Sequence, residues 1–396
     1  MMMLKRKAAA HGFALLLHEK PFKELNGSGK HNNWSIGGSE GTNYFSPGGD
    51  RREFTRFLCF LVGFIQSVHR HEVFIRASVA SASNDHRLGG HEAPPSIMSV
   101  FVGSALEEVL NKLKSGTLQE LKSQEVIEAG LRYVGQIRKD NTDRNRTSPM
   151  AFTGNKFEFR AVGSSQALGF PNTVLNAAMA ESLRDMAGRI RERKTAGATL
   201  EDAILVVLQE MLSKSHRVVF NGNCYTREWE AEAAARGLSN WKTTPEALKA
   251  AFDSPKESSF LIESGILNAT ELRARYEIKL EQYATQVEIE ARTLQKLLRK
   301  DVRPALALQL SDLEALGASV LDRFKEGITR VDGLSVKLGK ELNALHELEG
   351  EERAIYSRVH LLPLMSEMRD EIDFLEEETA RDLWRLPDYD RLLSHQ

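Results

Sequence analysis

Three polar segments in the first 160 residues hold the side-chain types that can carry chemistry. The first runs from Lys20-Pro21 to Gly27-Ser28-Gly29-Lys30-His31. A serine between glycines followed by lysine suggests a phosphate loop. That motif needs glycine five residues before Gly29 and a hydroxyl residue after Lys30, where the chain has Glu24 and His31. The segment must therefore serve otherwise. Gly27 and Gly29 let the backbone approach a bound ligand closely, and alternation beyond Lys30 predicts His31, Asn33 and Ser35 on one face of a strand. Such a face could ligate a metal through the histidine and hydrogen-bond a ligand through the other two. An ordinary hairpin loop with a satisfied histidine fits the same residues.

The second segment, residues 81–95, concentrates Asp85, His86, Arg87, Gly89, Gly90, His91, Glu92, Pro94 and Pro95. It is too polar for a core. Glycines that permit motion and prolines that anchor the end suggest a loop closing over a site, though a plain surface loop has the same composition. The third joins Asn145-Arg146-Thr147-Ser148 to Lys156-Phe157-Glu158-Phe159-Arg160. In a strand Lys156, Glu158 and Arg160 share one face while Phe157 and Phe159 point into the core. The charged row is a solvated sheet face, or a site floor where cations hold phosphate and the carboxylate ligates a hard metal such as magnesium. His69 and His71 are spaced i, i+2 and share no helix face, so they read as structural.

The elements that must position these residues follow from periodicity. Residues 13–17 read as a short buried strand. Residues 52–71 have helical spacing, with Phe54, Phe57, Leu58, Leu61 and Ile65 on one face. Strands are expected at 97–102 and 156–162, an amphipathic helix at 106–121, and a polar loop at 140–148. From Asn172 onward the period becomes helical, with helices expected at 173–193, 200–212, 269–299, 311–324 and 334–345. Pro304 and Pro363 mark breaks, and Asn221-Gly222-Asn223 marks a turn. Seven of the 11 histidines lie in the first 100 residues, so the chemistry is concentrated toward the amino end. Two domains are expected, at 1–195 and 196–396.

The 396 residues carry 53 Lys and Arg against 55 Asp and Glu, a formal charge of −2. This balance gives no polycationic surface, and nucleic acid is excluded as the expected partner. The longest apolar stretch, residues 57–65, falls short of the roughly 20 residues that span a bilayer. No membrane span and no secretory signal is expected. Cys59 and Cys224 form no paired motif, so neither a disulfide framework nor a cysteine zinc site is expected, and a reducing cytoplasmic compartment fits.

The three segments together resemble glutamine synthetase in its large type III form. That family's KPxxxxNGSGxH element is matched by Lys20 to His31, and its flap by Arg87 with Glu92-Ala93-Pro94. Its NRxS and [KR]xExR elements are matched by Asn145 to Ser148 and Lys156 to Arg160. Phe220-Asn221-Gly222-Asn223-Cys224-Tyr225 and the terminal Leu383-Trp384-Arg385-Leu386-Pro387 look like the type III version. The resemblance covers nearly the whole chain. It implies an α/β (α+β) catalytic core of the glutamine synthetase and guanido kinase type with an antiparallel sheet, followed by a mainly α-helical carboxy-terminal region.

Carried over residue by residue, the resemblance implies that His31 and Glu158 ligate magnesium or manganese. Asn26 and Gly27 would line the glutamate pocket. Arg87 and Arg160 would pair with the glutamate carboxylate or the transferring phosphate, Arg146 and Lys156 with nucleotide phosphates, and Asn33 and Ser35 with the nucleotide. Glu92 would close the site and take a proton from ammonium. The activity implied is ATP-dependent ligation of ammonia to L-glutamate, in a dodecamer of two hexameric rings. Glutamate–amine ligation within the same superfamily and a non-catalytic assembly role are the alternatives.

Two departures from the family pattern bear on this. Asn33 stands where smaller forms commonly carry a second histidine, and no arginine lies between Arg146 and Glu158. No paired ExE carboxylates precede residue 20. The family's β-grasp domain, which carries them, has no counterpart in the sequence. One histidine and one glutamate cannot fill the oxygen-rich octahedral sites of two or three magnesium ions. The chain by itself is therefore expected to be a carboxy-terminal portion without synthetase turnover.

Overall fold

The computed structural model describes residues 2–13, 15, 17–22, 25–90, 93–115, 147–317 and 319–387. Packing divides the chain into one compact unit of Leu17–Arg273 and another of Met1–Leu16 with Ala274–Gln396.

The first unit is built on a four-stranded sheet in the order β1-β4-β3-β2. Its strands are β1 (Gly29–Trp34), β2 (Val100–Phe101), β3 (Met150–Phe152) and β4 (Phe157–Gly163). β1 and β3 both run antiparallel to β4, but β2 pairs parallel to β3. The sheet is thus mixed rather than purely antiparallel. Val219 continues it beyond β2 through a parallel bridge to Val100.

A long helix, α2 (Arg51–Ser78), carries the sheet. It follows α1 (Met2–Ala10), which buries none of its residues. The α2 start is set by Asp50, whose Oδ1 accepts from Glu53 N at 2.8 Å. Phe54, Phe57, Leu58, Leu61 and Ile65 are all fully buried, as the helical spacing predicts. Phe64 stacks on Phe157 of β4 with ring centroids 3.7 Å apart, and Trp34, Phe45, Phe57 and Phe152 complete an aromatic layer between helix and sheet. α2 also packs against α5 (Gly169–Thr195) and α6 (Leu200–Ser215). The remaining short helices of this unit are α3 (Ala82–Arg87), α4 (Ser104–Ser115), α7 (Arg227–Ala235), α8 (Thr244–Phe252) and α9 (Pro255–Glu263).

The second unit is helical. α10 (Ala269–Leu297) continues through a π-helical turn, Leu298–Val302, into α11 (Arg303–Leu316). α12 (Leu321–Ala344) follows, and α13 (Gly350–Tyr356) passes through a second π turn, Ser357–Leu361, into α14 (Leu362–Glu377). Pro304 and Pro363 sit just beyond these π turns and do not break their helices. The wider turn removes the carbonyl that a proline ring would strike and the bond its missing N–H would make. The break comes instead at Gly317, whose left-handed φ of 60° caps α11, so residues 311–324 do not form one helix. Buried Glu371 of α14 is held by Arg323 and by Arg330, the latter at 2.9 Å. Among the described residues no helix is long and apolar enough to cross a membrane.

Two other expectations change. Residues 13, 15 and 17 lie outside any strand and Phe13 is half exposed, and among the described residues no strand offers that run a ladder. The strand expected at 97–102 shortens to Val100–Phe101.

Candidate active site

β1 alternates as its sequence predicts: His31 and Asn33 are exposed, Asn32 and Trp34 are buried, and Ser35 beyond them is exposed. Two asparagines one turn apart on α5 hold the buried side. Asn32 Nδ2 donates to Asn172 Oδ1 at 2.7 Å, and Trp34 Nε1 donates to Asn176 Oδ1 at 2.9 Å. The register with β4 shifts between Lys30 and Asn32, a bulge that leaves His31 outside the regular pairing. His31 Nδ1 comes within 3.7 Å of Glu158 Oε2 on β4.

Glu158 is joined by Arg160, two residues along the same face. Arg160 Nε and Nη2 lie 3.3 and 3.1 Å from Glu158 Oε2. Phe157 and Phe159 enter the core as expected, but Glu158 and Arg160 are buried too, so the charged row is not a solvated face. A buried carboxylate shared by a histidine and an arginine is costly to build and has little value as a stabilising pair, which favours a site-floor reading. Lys156, half-buried in the turn before β4, accepts from Thr153 N at 2.9 Å through its carbonyl.

The second segment departs most from its expected form. Residues 82–87 form α3, capped by Ser81, and Ser83, Asn84 and Arg87 are buried. Burial of so polar a segment is possible because its groups are bonded. Asn84 Nδ2 donates to Val79 O and Ala161 O at 2.8 and 2.9 Å, and Asp85 accepts from Thr244 N at 2.6 Å and from Arg76 at 3.1 Å. Arg87 donates to Asn84 Oδ1, Val162 O and Arg160 O at 3.2, 3.5 and 2.9 Å.

The glycines of the first segment make room for this arginine. A Cβ on Gly29 would stand 2.1 Å from Arg87 Nη2, and one on Gly27 would stand 2.6 Å from Glu19 O and 3.1 Å from Arg87 Cγ. The close approach predicted for a ligand is made by a guanidinium. Asn26 beside them is exposed. Glu92 and Arg146 lie outside the described residues, as do His91 and residues 116–121 of the expected amphipathic helix.

The fold therefore brings together His31, Glu158 and Arg160, and sets Arg87 against the β4 backbone under Gly29. Among the described residues no group of three or more His, Cys, Asp or Glu converges as a metal site. His31 and Glu158 offer one nitrogen and one carboxylate, donors suited to a share in a hard-cation site but too few to fill one.

A family model described as the glutamine synthetase C-terminal domain matches residues 203–319. Along 99% of its length the chain is 37% identical to a glutamine synthetase of Bacteroides fragilis, covering 57% of that protein. It is 38% identical to a type-3 glutamine synthetase of Dictyostelium discoideum over 98% of the chain and 56% of the relative. A glutamine synthetase of Butyrivibrio fibrisolvens is 38% identical over 99% of the chain and 58% of its own length. Along nearly its whole length the chain is therefore similar to glutamine synthetases. It spans a little over half the length of these curated relatives.

Several further residues support these segments. Asn172 and Asn176 read only as polar positions on a helix. Thr147, next to Arg146 in the chain, accepts from Cys224 N at 2.8 Å, and Asn221 Oδ1 accepts from Val102 N and Gly103 N at 2.9 Å each. The segment around residue 220 thus braces both the NRxS element and the end of β2. His69 and His71 are structural as expected: His69 accepts from Arg217 Nε at 2.9 Å, and His71 Nε2 lies 2.6 Å from Glu181 Oε2.

Proposed function

We propose that this chain provides the glutamate- and phosphate-facing part of an enzyme that ligates ammonia to L-glutamate at the expense of ATP. The observation that carries the reading is the convergence of His31, Glu158 and Arg160 on adjacent strands of a glutamine synthetase homologue. A carboxylate is a poor electrophile, so the reaction needs the glutamate γ-carboxylate converted to an acyl phosphate before ammonia displaces phosphate.

His31 and Glu158 would share in holding magnesium or manganese, which when bound neutralises charge on phosphate oxygens. Arg160 presents a guanidinium to the same place, and a transferring phosphoryl group competes with Glu158 for it. Asn26 and Gly27 border the glutamate pocket, with Arg87 directly beneath Gly27 and Gly29. Asn33, Ser35, Lys156 and Arg146 would meet the nucleotide, and Glu92 would take the ammonium proton in a closed, dry site. The exposed edge of β1 accords with a dodecamer in which a neighbour completes the site. The two free cysteines, Cys59 and Cys224, accord with a cytoplasmic setting.

With two metal donors, His31 and Glu158, brought together among the described residues, the isolated chain is expected to bind substrate without ordinary turnover. The test is phosphate release dependent on glutamate and an amine, with ammonia compared against methylamine and longer amines. Turnover at a normal enzyme rate by the isolated chain would refute the incomplete metal site. Preference for a larger amine, in a form that does turn over, would refute ammonia as the nucleophile.

A further inference from the structure

Glu19, just before the first polar segment, is fully buried, and no motif includes it. Its Oε1 accepts from Ser165 N at 2.8 Å and from Ser165 Oγ at 2.6 Å, in the turn after β4. Its backbone carbonyl accepts from Ser28 N at 2.7 Å, in the glutamate-pocket loop. The fit is tight on both sides. A Cβ on Gly163 would stand 2.5 Å from Glu19 Oε1, and a Cβ on Gly27 would stand 2.6 Å from Glu19 O.

The carboxylate stays charged in this setting. Burial pushes its pKa up, but hydrogen bonds from Ser165 and Ser83 outweigh burial and hold it below the ordinary glutamate value. Burial pushes the Arg87 pKa below the ordinary guanidinium value, and the negative charge of Glu19 opposes that shift. The described hydrogen-bond acceptors of Arg87 are all neutral: an asparagine oxygen and two backbone carbonyls. Glu19 is thus an anion that favours this buried cation, and Gly27 lies against both residues, its Cβ position 2.6 Å from Glu19 O and 3.1 Å from Arg87 Cγ.

We infer that Glu19 is a positioning residue of the glutamate pocket, fixing the Asn26 to Ser28 loop and the Arg87 guanidinium relative to each other. This rests on the proposed function for the identity of the ligand, but not for the coupling between the two elements. Ser165 is the second member of the device, since it supplies both donors to Oε1. Nucleotide-facing residues such as Asn33, Ser35 and Lys156 stand outside the network, so the effect is confined to glutamate.

The test compares wild type, Glu19→Gln and Ser165→Ala by hydrogen exchange and by titration with L-glutamate and with magnesium-ATP. Glu19→Gln keeps length and an acceptor oxygen while removing the charge. It is expected to speed exchange in residues 25–34 and 81–90 about tenfold, while the α10 to α14 peptides stay unchanged. It is also expected to weaken L-glutamate binding about tenfold with magnesium-ATP affinity within about twofold of wild type, and Ser165→Ala to move both readings the same way by less. Unchanged exchange in both segments overturns the inference. Equal loss of glutamate and nucleotide binding with exchange rising throughout the first unit also overturns it, because that is general destabilisation. If wild type binds no L-glutamate, the proposed function fails, and the exchange comparison still decides whether Glu19 couples the loop to Arg87.

Discussion

Replacing Gly29 by alanine adds one methyl group where Arg87 already stands. Gly29 does not have a left-handed φ, so an alanine backbone fits without strain and the whole effect comes from the side chain. The new Cβ would lie 2.1 Å from Arg87 Nη2 and 2.5 Å from Cζ, so the guanidinium must leave. Nη2 is the atom that donates to Arg160 O at 2.9 Å, and Nη1 moves with it away from Asn84 Oδ1 and Val162 O. Losing one charged hydrogen bond costs about 1.5–3 kcal/mol, and forcing a buried side chain to repack adds about 1–3 kcal/mol. The expected destabilisation is therefore about 3 kcal/mol or somewhat more. Guanidinium denaturation followed by circular dichroism measures it, and the Arg87→Ala background isolates the cause. There the space is free, and Gly29→Ala should cost under about 1 kcal/mol, a coupling of at least about 2 kcal/mol across the cycle. Additive costs, or a Gly29→Ala protein within about 0.5 kcal/mol of wild type, would refute the claim that these glycines exist to admit Arg87.

Other consequences concern the support of β1 and a buried acid on α2. Asn172→Ala and Asn176→Ala each remove the partner of a buried β1 side chain and should each destabilise by about 1 kcal/mol, with faster hydrogen exchange in residues 29–35. Unchanged exchange there would show that the strand is held by its ladder alone. Burial pushes the Glu72 carboxyl up to about 7, against the opposing effects of Arg217 and the Ser239 N–H. Its folded pKa lies above its unfolded one, so the stability it contributes is present below about pH 4.5 and lost as pH rises through 7. Between those limits Glu72→Gln should gain on wild type by up to roughly 3 kcal/mol, and parallel stability curves would contradict this.

Much of the site floor was legible because strand alternation leaves few choices. Once residues 29–35 and 157–163 are strands, His31, Asn33 and Ser35 share a side, as do Glu158 and Arg160. What covers that side was not legible. Glu158 and Arg160 are buried, and the polar content of residues 81–95 argued for a loop when Asn84, Asp85 and Arg87 of α3 had bonding partners waiting in β4, α2 and α8. The long helices were read well, since five apolar residues on one face of α2 admit no other element. Residues 13–17 misled for the opposite reason, because a short apolar run becomes a strand only beside a ladder. Proline and glycine were weighed wrongly in the second unit, where π turns admit Pro304 and Pro363 while Gly317 ends the helix. Glu19, beside Lys20-Pro21, belongs to no motif. Only the run of Gly163, Ser164 and Ser165 hinted at a large polar group packed against that turn.

The account stands most directly on whether this chain recognises L-glutamate, the substrate proposed for it. Calorimetric titration of the purified chain with L-glutamate and with L-aspartate measures that, free of any dependence on turnover. Saturable L-glutamate binding is predicted, at least about tenfold tighter than L-aspartate, whose side-chain carboxylate would lie one methylene short of the residues proposed to face phosphate. Equal affinity for the two acids, or no binding of L-glutamate, would contradict the assignment of Asn26, Gly27, Arg87 and Arg160 to a glutamate pocket.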